Sequence, residues 1–243
     1  MWITDLRAVM FSSPGILRFT RPDALRFAAE SALIEHAPAR LLSPFPEAWS
    51  RYEANRARRR WADHGELPIE SLGQDLFGSE MDRALVDHVG ERLGECLEWH
   101  PDALPTLDYL RESGYRTVLL SDLPIPLPRV WQERSKPWFD ETVSSRDLAR
   151  RTPDPSAFRE ALRRLRLGPH QVLHVGEGVV EDVHAAQAAD LRTALLERFG
   201  RGRPDPEALA WLRRERGLEP SSVKPDLRLR TLEELAATVD AFA

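Results

Sequence analysis

Hydroxyls and carboxylates cluster at the ends of short apolar runs in this chain. Leu6-Arg-Ala-Val-Met-Phe11 is followed by Ser12, Ser13, Pro14 and Gly15, and Thr117-Val-Leu-Leu120 is followed by Ser121 and Asp122. Arg150, Arg151 and Thr152 precede Pro153-Asp-Pro155; Val172-Leu-His-Val175 leads into Gly176-Glu177-Gly178, with Asp182 a turn further on. Hydroxyls, arginines and carboxylates of this kind can bind an oxyanion, hold a cation or move a proton. A serine such as Ser12 is a weak nucleophile at neutral pH unless a base assists it. Structural readings compete with these: Ser121 and Asp122 can end a strand and cap the next segment, and Asp182 can be a helix residue paired with an arginine. His174, inside an apolar strand, reads as a hydrogen-bonded core histidine.

These groups need a scaffold, and 243 residues can bury a full core, as one domain or a domain with an inserted subdomain. Apolar content of 42% and charged content of 30% are those of a soluble globular protein. A formal charge of −5 gives no basic field, so no nucleic-acid partner is expected. Lys136 and Lys224 are the only lysines, which limits any lysine-dependent chemistry to two candidates. Cys96 is alone, so no intrachain disulfide can form and a cytoplasmic setting is expected. No signal peptide is read, because Asp5 and Arg7 interrupt the first apolar run and no basic leader or small-residue cleavage site accompanies it, and no membrane span is read, because no apolar run approaches about 18 residues.

The first apolar run has the composition of a strand buried on both faces. Residues 22 to about 98 carry no convincing strand and read as helices: from Pro22, from Glu47 to His64, to about Phe77, and from near Ser79 to near Trp99. Within this block Arg56, Arg58, Arg59 and Arg60 read as a solvated helix face, and Trp49, Tyr52 and Trp61 as packing residues. From Pro101 helices and strands alternate. Helices are predicted over 102–113, after Pro128, over 154–165, 179–189, 205–217 and 231–242; strands over 115–120, 139–143, 172–175, 191–196 and 226–229. Alternation of this kind predicts an α/β fold with a parallel sheet and helices on both faces. Ligands of such sheets bind beyond the carboxyl ends of the strands, where Ser12, Ser121, Thr152 and Glu177 should gather.

In order and spacing, several segments resemble the haloacid dehalogenase (HAD) superfamily of phosphatase-like hydrolases. They are the Phe11 strand with its Gly15 turn, His100-Pro-Asp-Ala-Leu-Pro-Thr-Leu107, Thr117-Val-Leu-Leu-Ser121, Thr152-Pro-Asp-Pro155 with Phe158, and Leu173-His-Val-Gly-Glu-Gly-Val-Val-Glu-Asp-Val183. The resemblance implies a Rossmann-like core over 1–18 and 99–243, with a helical cap inserted over 19–98. It also implies an aspartate nucleophile ending the first strand, a second aspartate two residues later as acid and base, a phosphate-binding lysine and a magnesium ion.

Aligned on the family pattern, this chain has Ser12 at the nucleophile position and Pro14 at the acid/base position, with Ser13 between them. Ser121 keeps the second motif's hydroxyl, followed by Asp122, and Thr152 replaces the lysine, with Arg150 and Arg151 beside it. Lys136 precedes the third core strand and is poorly placed to substitute. Glu177 and Asp182 retain the acidic motif and are the remaining candidates for magnesium, although no cofactor is expected without the lost aspartate. Asp5, the only early carboxylate, precedes the strand and would put the site at its wrong end.

Loss of nucleophile, proton donor and lysine together implies a pseudoenzyme: a binding, scaffolding or regulatory module. Its partner would be a protein or a small molecule in the cleft between core and cap, with no membrane involved. One alternative is an enzyme that reuses the pocket, with Glu177, Asp182 or Asp122 as acid/base and Ser12 or Ser121 as oxyanion binder. An unconventional hydrolase of the family is the third reading.

Overall fold

The structure is a computed structural model that describes residues 5–37, 39–62, 69–77, 83–121, 123, 138–144, 148, 154–198 and 206–239. Its contacts divide the chain into two units. One comprises Met1–Arg18, Trp99–Asp122 and Lys136–Ala243; the other comprises Phe19–Glu98 and Leu123–Ser135.

The first unit is built on a six-stranded sheet, and every strand pair in it is parallel. Its strands are β1 (Ala8–Ser12), β4 (Arg116–Ser121), β5 (Glu141–Ser144), β6 (Val172–Gly176), β7 (Arg192–Leu196) and β8 (Leu227–Leu229), in the order β5-β4-β1-β6-β7-β8. The first strand of the chain therefore lies inside the sheet, and all five of its residues are buried. Burial on both faces is why it shows a continuous apolar run instead of alternation. The register sets Ser12 opposite Leu120 and Phe11 opposite Val175, which brings Ser12, Ser121 and Gly176 to the same edge. Chain order reverses around β1, the arrangement in which α/β sheets open a crevice at their carboxyl ends.

On one face Ala8 and Met10, two residues apart, pack with Val118, Leu120, Val143 and Val172. That face is covered by Ala157, Phe158, Ala161, Leu162 and Leu165, from the helix Ser156–Leu165 that the sequence predicts after Asp154-Pro155. Asp154 Oδ1 accepts the Ser156 N–H at 2.8 Å and starts this helix; Arg166, in the left-handed conformation at φ 56°, ends it. Gly114, at φ +82°, closes the preceding helix, Ala103–Glu112, where a residue without Cβ is favoured.

The second unit is helical: Ala24–His36, Phe45–Ala62, Glu70–Phe77 and Arg83–Glu95. Its core joins Ala28, Ala32 and Leu33 to Phe45, Trp49, Tyr52, Leu72, Val89 and Leu93. Trp49 and Tyr52 are packing residues, with ring centroids 5.4 Å apart. Arg56 lies 3.5 Å from Glu53, and the side chains of Arg58, Arg59, Arg60 and Trp61 lie outside those described.

Three expectations need correction. Residues 17–19 and 97–99 form short strands, β2 (Leu17–Phe19) and β3 (Leu97–Trp99), paired in a two-stranded sheet. Three residues are too few to show a period, so the sequence read 97–99 as the end of a helix and gave 17–19 no strand. The turn at Ser13–Ile16 is one helical turn with Pro14 in its first positions. The segment after Gly178 is a π-helical turn, Val179–His184, before the helical residues Ala185–Gln187. The predicted helix after Pro128 and the helix start near Ser79 lie outside the described residues. Among the described residues no helix is long and apolar enough to cross a membrane.

Candidate active site at the carboxyl edge of the sheet

Ser12 ends β1 with extended backbone (φ −71°, ψ 145°), and its side chain does not cap the following turn. The residue is 6% exposed, and Oγ has no hydrogen-bond partner among the protein atoms. Ser13 and Gly15 are also buried, whereas Pro14 between them is exposed. Ser121 ends the neighbouring strand and is 1% exposed. The structure therefore sets Ser12 and Ser121 on adjacent strand ends. Asp122, Arg150, Arg151, Thr152 and Lys136 lie outside the described residues.

An arginine that sequence reasoning missed holds the loop after β1. Arg198, two residues past β7 and 6% exposed, donates from Nη1 to Asp102 Oδ2 at 2.7 Å and from Nη2 to Asp102 Oδ1 at 2.8 Å. The same Nη2 donates to the Gly15 carbonyl at 3.1 Å, and Nε lies 3.7 Å from Glu177 Oε1. Asp102 Oδ2 also accepts the N–H of Leu232 at 2.9 Å, at the start of the helix Leu232–Val239. Burial pushes the Asp102 carboxyl up, but its hydrogen bonds from Arg198 and Leu232 outweigh this and hold it below the ordinary carboxylate range. A bidentate arginine–carboxylate pair removed from water this far is stable only while both partners remain.

His100 completes the grip on the loop. Its backbone N–H donates to the Ile16 carbonyl at 2.9 Å. Burial, followed by the Arg198 cation, lowers the pKa of its ring. Two successive loop carbonyls, Gly15 and Ile16, thus accept hydrogen bonds from Arg198 and from the His100 backbone. A signal existed in the sequence: an arginine just past an apolar strand, and a histidine and an aspartate at a helix start, all at the edge where ligands bind.

Asp182 is turned inward. Its Oδ1 lies 3.0 Å from His174 Nε2, and its Oδ2 accepts the Gly178 N–H at 2.8 Å. The sequence reading that gave Asp182 an arginine partner is corrected here, while His174 is the hydrogen-bonded core histidine expected of it. The other ring nitrogen, Nδ1, is buried with no hydrogen-bond partner among the protein atoms. Phe158 presents its ring to the imidazole edge-on at 4.8 Å. Gly176 makes room for this pair: a Cβ on it would lie 2.1 Å from Asp182 Cγ.

Asp5 lies at the start of β1, away from this edge, and accepts hydrogen bonds from Gln171 at 2.8 Å and Arg7 at 2.7 Å. These hydrogen bonds, Gln171's first, lower its pKa.

The residues present do not fit the magnesium ion that the family resemblance implies. Magnesium takes near-octahedral oxygen ligation and usually one or two carboxylates. Ser12 brings a neutral hydroxyl, both Asp182 oxygens are engaged by His174 and Gly178, and the Gly15 carbonyl and Glu177 lie against Arg198. Placing a further cation about 4 Å from that guanidinium costs on the order of 4 kcal/mol per unit charge. Among the described residues, no group of three or more His, Cys, Asp or Glu side chains is arranged to hold a metal.

Comparison with known proteins places this geometry in context. The chain is 27% identical over 157 residues to the glyceraldehyde 3-phosphate phosphatase of Methanopyrus kandleri, a match covering 63% of this chain and 64% of that protein. It thus spans less than two thirds of that relative's length. Among solved structures, an HAD phosphatase from Thermococcus onnurineus superimposes with a TM-score of 0.67 at 22% identity, covering 96% of this chain and 98% of the other. A 2-haloacid dehalogenase from Pseudomonas syringae does so with a TM-score of 0.67 at 18% identity, covering 98% of this chain and 100% of the other. At these identities the two structures establish the fold alone. The family model of haloacid dehalogenase-like hydrolases matches residues 15–190, beginning just past Ser12, and on that match the chain belongs to the haloacid dehalogenase-like hydrolase family.

Proposed function

We propose that this chain is a haloacid dehalogenase-family protein that has given up aspartyl-phosphate chemistry and works as a binding, scaffolding or regulatory module. The observation that carries the reading is the end of β1. There Ser12 and an exposed Pro14 stand at the positions that the family resemblance gives to the nucleophile and the proton donor, and the carbonyls of Gly15 and Ile16 are held by Arg198 and the His100 backbone N–H. An unassisted hydroxyl is a poor nucleophile, and proline moves no proton. What remains is a polar edge of Ser12, Ser121 and Glu177, suited to receiving a small molecule or a protein segment rather than to turning one over.

The phosphatase named among its relatives favours a competing reading, a hydrolase with an unconventional nucleophile. Assays with magnesium against phosphate esters, glyceraldehyde 3-phosphate among them, and against 2-haloacids separate the two. Product formation no faster than with heat-denatured protein is expected. Robust hydrolysis that disappears in Ser12→Ala would sink the proposal.

A further inference from the structure

We infer that Arg198 is a built-in cation that stands in for the divalent metal, so that charge at this edge is balanced without any metal ion. The guanidinium meets three oxygen-bearing groups at once: it donates to both oxygens of Asp102 and to the Gly15 carbonyl, and its Nε lies 3.7 Å from the Glu177 carboxylate. A carbonyl of the loop after β1 and an acidic side chain after β6 are donors of the kind a hard cation would gather. Here a side chain gathers them. Arginine cannot be deprotonated in a protein, so this cation is permanent, and its planar fork fixes the donor directions that a spherical ion would leave open. The side chain is 7% exposed and Asp102 11%, so neither is free to swing into solvent and vacate the place.

The inference goes beyond the proposed function and predicts behaviour toward metal alone. In the full-length protein, calorimetric titration with Mg2+ or Mn2+ after chelator treatment should give no binding heat. The thermal midpoint should be the same in chelator and in millimolar metal, because only a ligand that binds the folded state raises it. Arg198→Lys, which keeps the charge, should be equally indifferent. Arg198→Met should melt lower than wild type in chelator and regain part of the loss on adding Mn2+. That recovery should vanish when Glu177→Gln is added.

Metal binding by the wild-type protein that depends on Glu177 would overturn the inference, as would a folded Arg198→Met variant blind to Mn2+. If Arg198→Met does not fold, the wild-type and Arg198→Lys titrations decide the question. Metal binding without turnover overturns this inference alone, whereas turnover in the presence of chelator overturns only the proposed function.

Discussion

Ser12 is buried at the end of an interior strand with no protein partner for its hydroxyl. A buried polar atom left unpaired costs about 1–3 kcal/mol. Ser12→Ala removes that atom and little volume, so it should stabilise the fold by about 1 kcal/mol; urea unfolding of both proteins checks this. A loss of about 2 kcal/mol or more would mean that the hydroxyl has a role the geometry does not show. Asp182 and Glu177 differ in the same residue-level terms. One carboxylate is enclosed by His174 and Gly178, and the other, partly exposed, faces a guanidinium. The sequence made Ser12 and Pro14 legible because an apolar strand and a glycine turn frame them. It could not assign Asp182 to His174, since a partner eight residues back is set by a turn geometry that no local pattern announces. Nor could it assign Arg198 to Asp102, because 96 residues separate them.

At the scale of elements, the strand–turn unit from β6 into the π-helical turn leaves no room for a Cβ at Gly176. The i to i+5 bond from Val183 N–H to the Gly178 carbonyl, 3.0 Å, widens the turn and leaves Asp182 directed back over Gly176. Gly176→Ala would drive a Cβ into that carboxylate, so the His174 pairing must break or the strand must shift. A loss of about 3 kcal/mol is expected, measured by denaturant unfolding. An unchanged midpoint would show that Asp182 moves aside at no cost. The main strands and long helices were readable from period and punctuation. The wide turn was not, because its apolar spacing over a few residues matches that of an ordinary helix.

At the scale of the whole molecule, the depressed pKa values give a stability profile in two stages. His100 and His184 are both lowered, chiefly by burial, so the folded state resists protons that the unfolded chain accepts. Their contribution is complete above the unfolded histidine value of about 6.5 and falls as pH drops below it. Asp102 is a lowered carboxylate; its contribution is present above about pH 4 and is lost as pH falls through its folded value. Denaturant midpoints should therefore be level above about pH 7, decline from about pH 6.5 and decline again below about pH 4. A midpoint unchanged between about pH 7 and pH 5 would contradict the first stage, and His100→Gln should lessen it. The parallel sheet was legible from the alternation of helices and strands. The pH behaviour was not, since burial of a histidine is a property of the assembled fold.

Asp102 takes two hydrogen bonds from Arg198, a residue after β7, and another from the first residue of the last described helix, while Arg198 reaches back to the loop after β1. The candidate site is thus closed by segments more than 200 positions apart, from Gly15 to Leu232. During synthesis the loop that follows the first strand must wait, unlocked, until nearly all of these residues have left the ribosome. β1 waits too, since its partners β4 and β6 are made later. The earliest part of the site to be translated is therefore among the last to acquire its final shape.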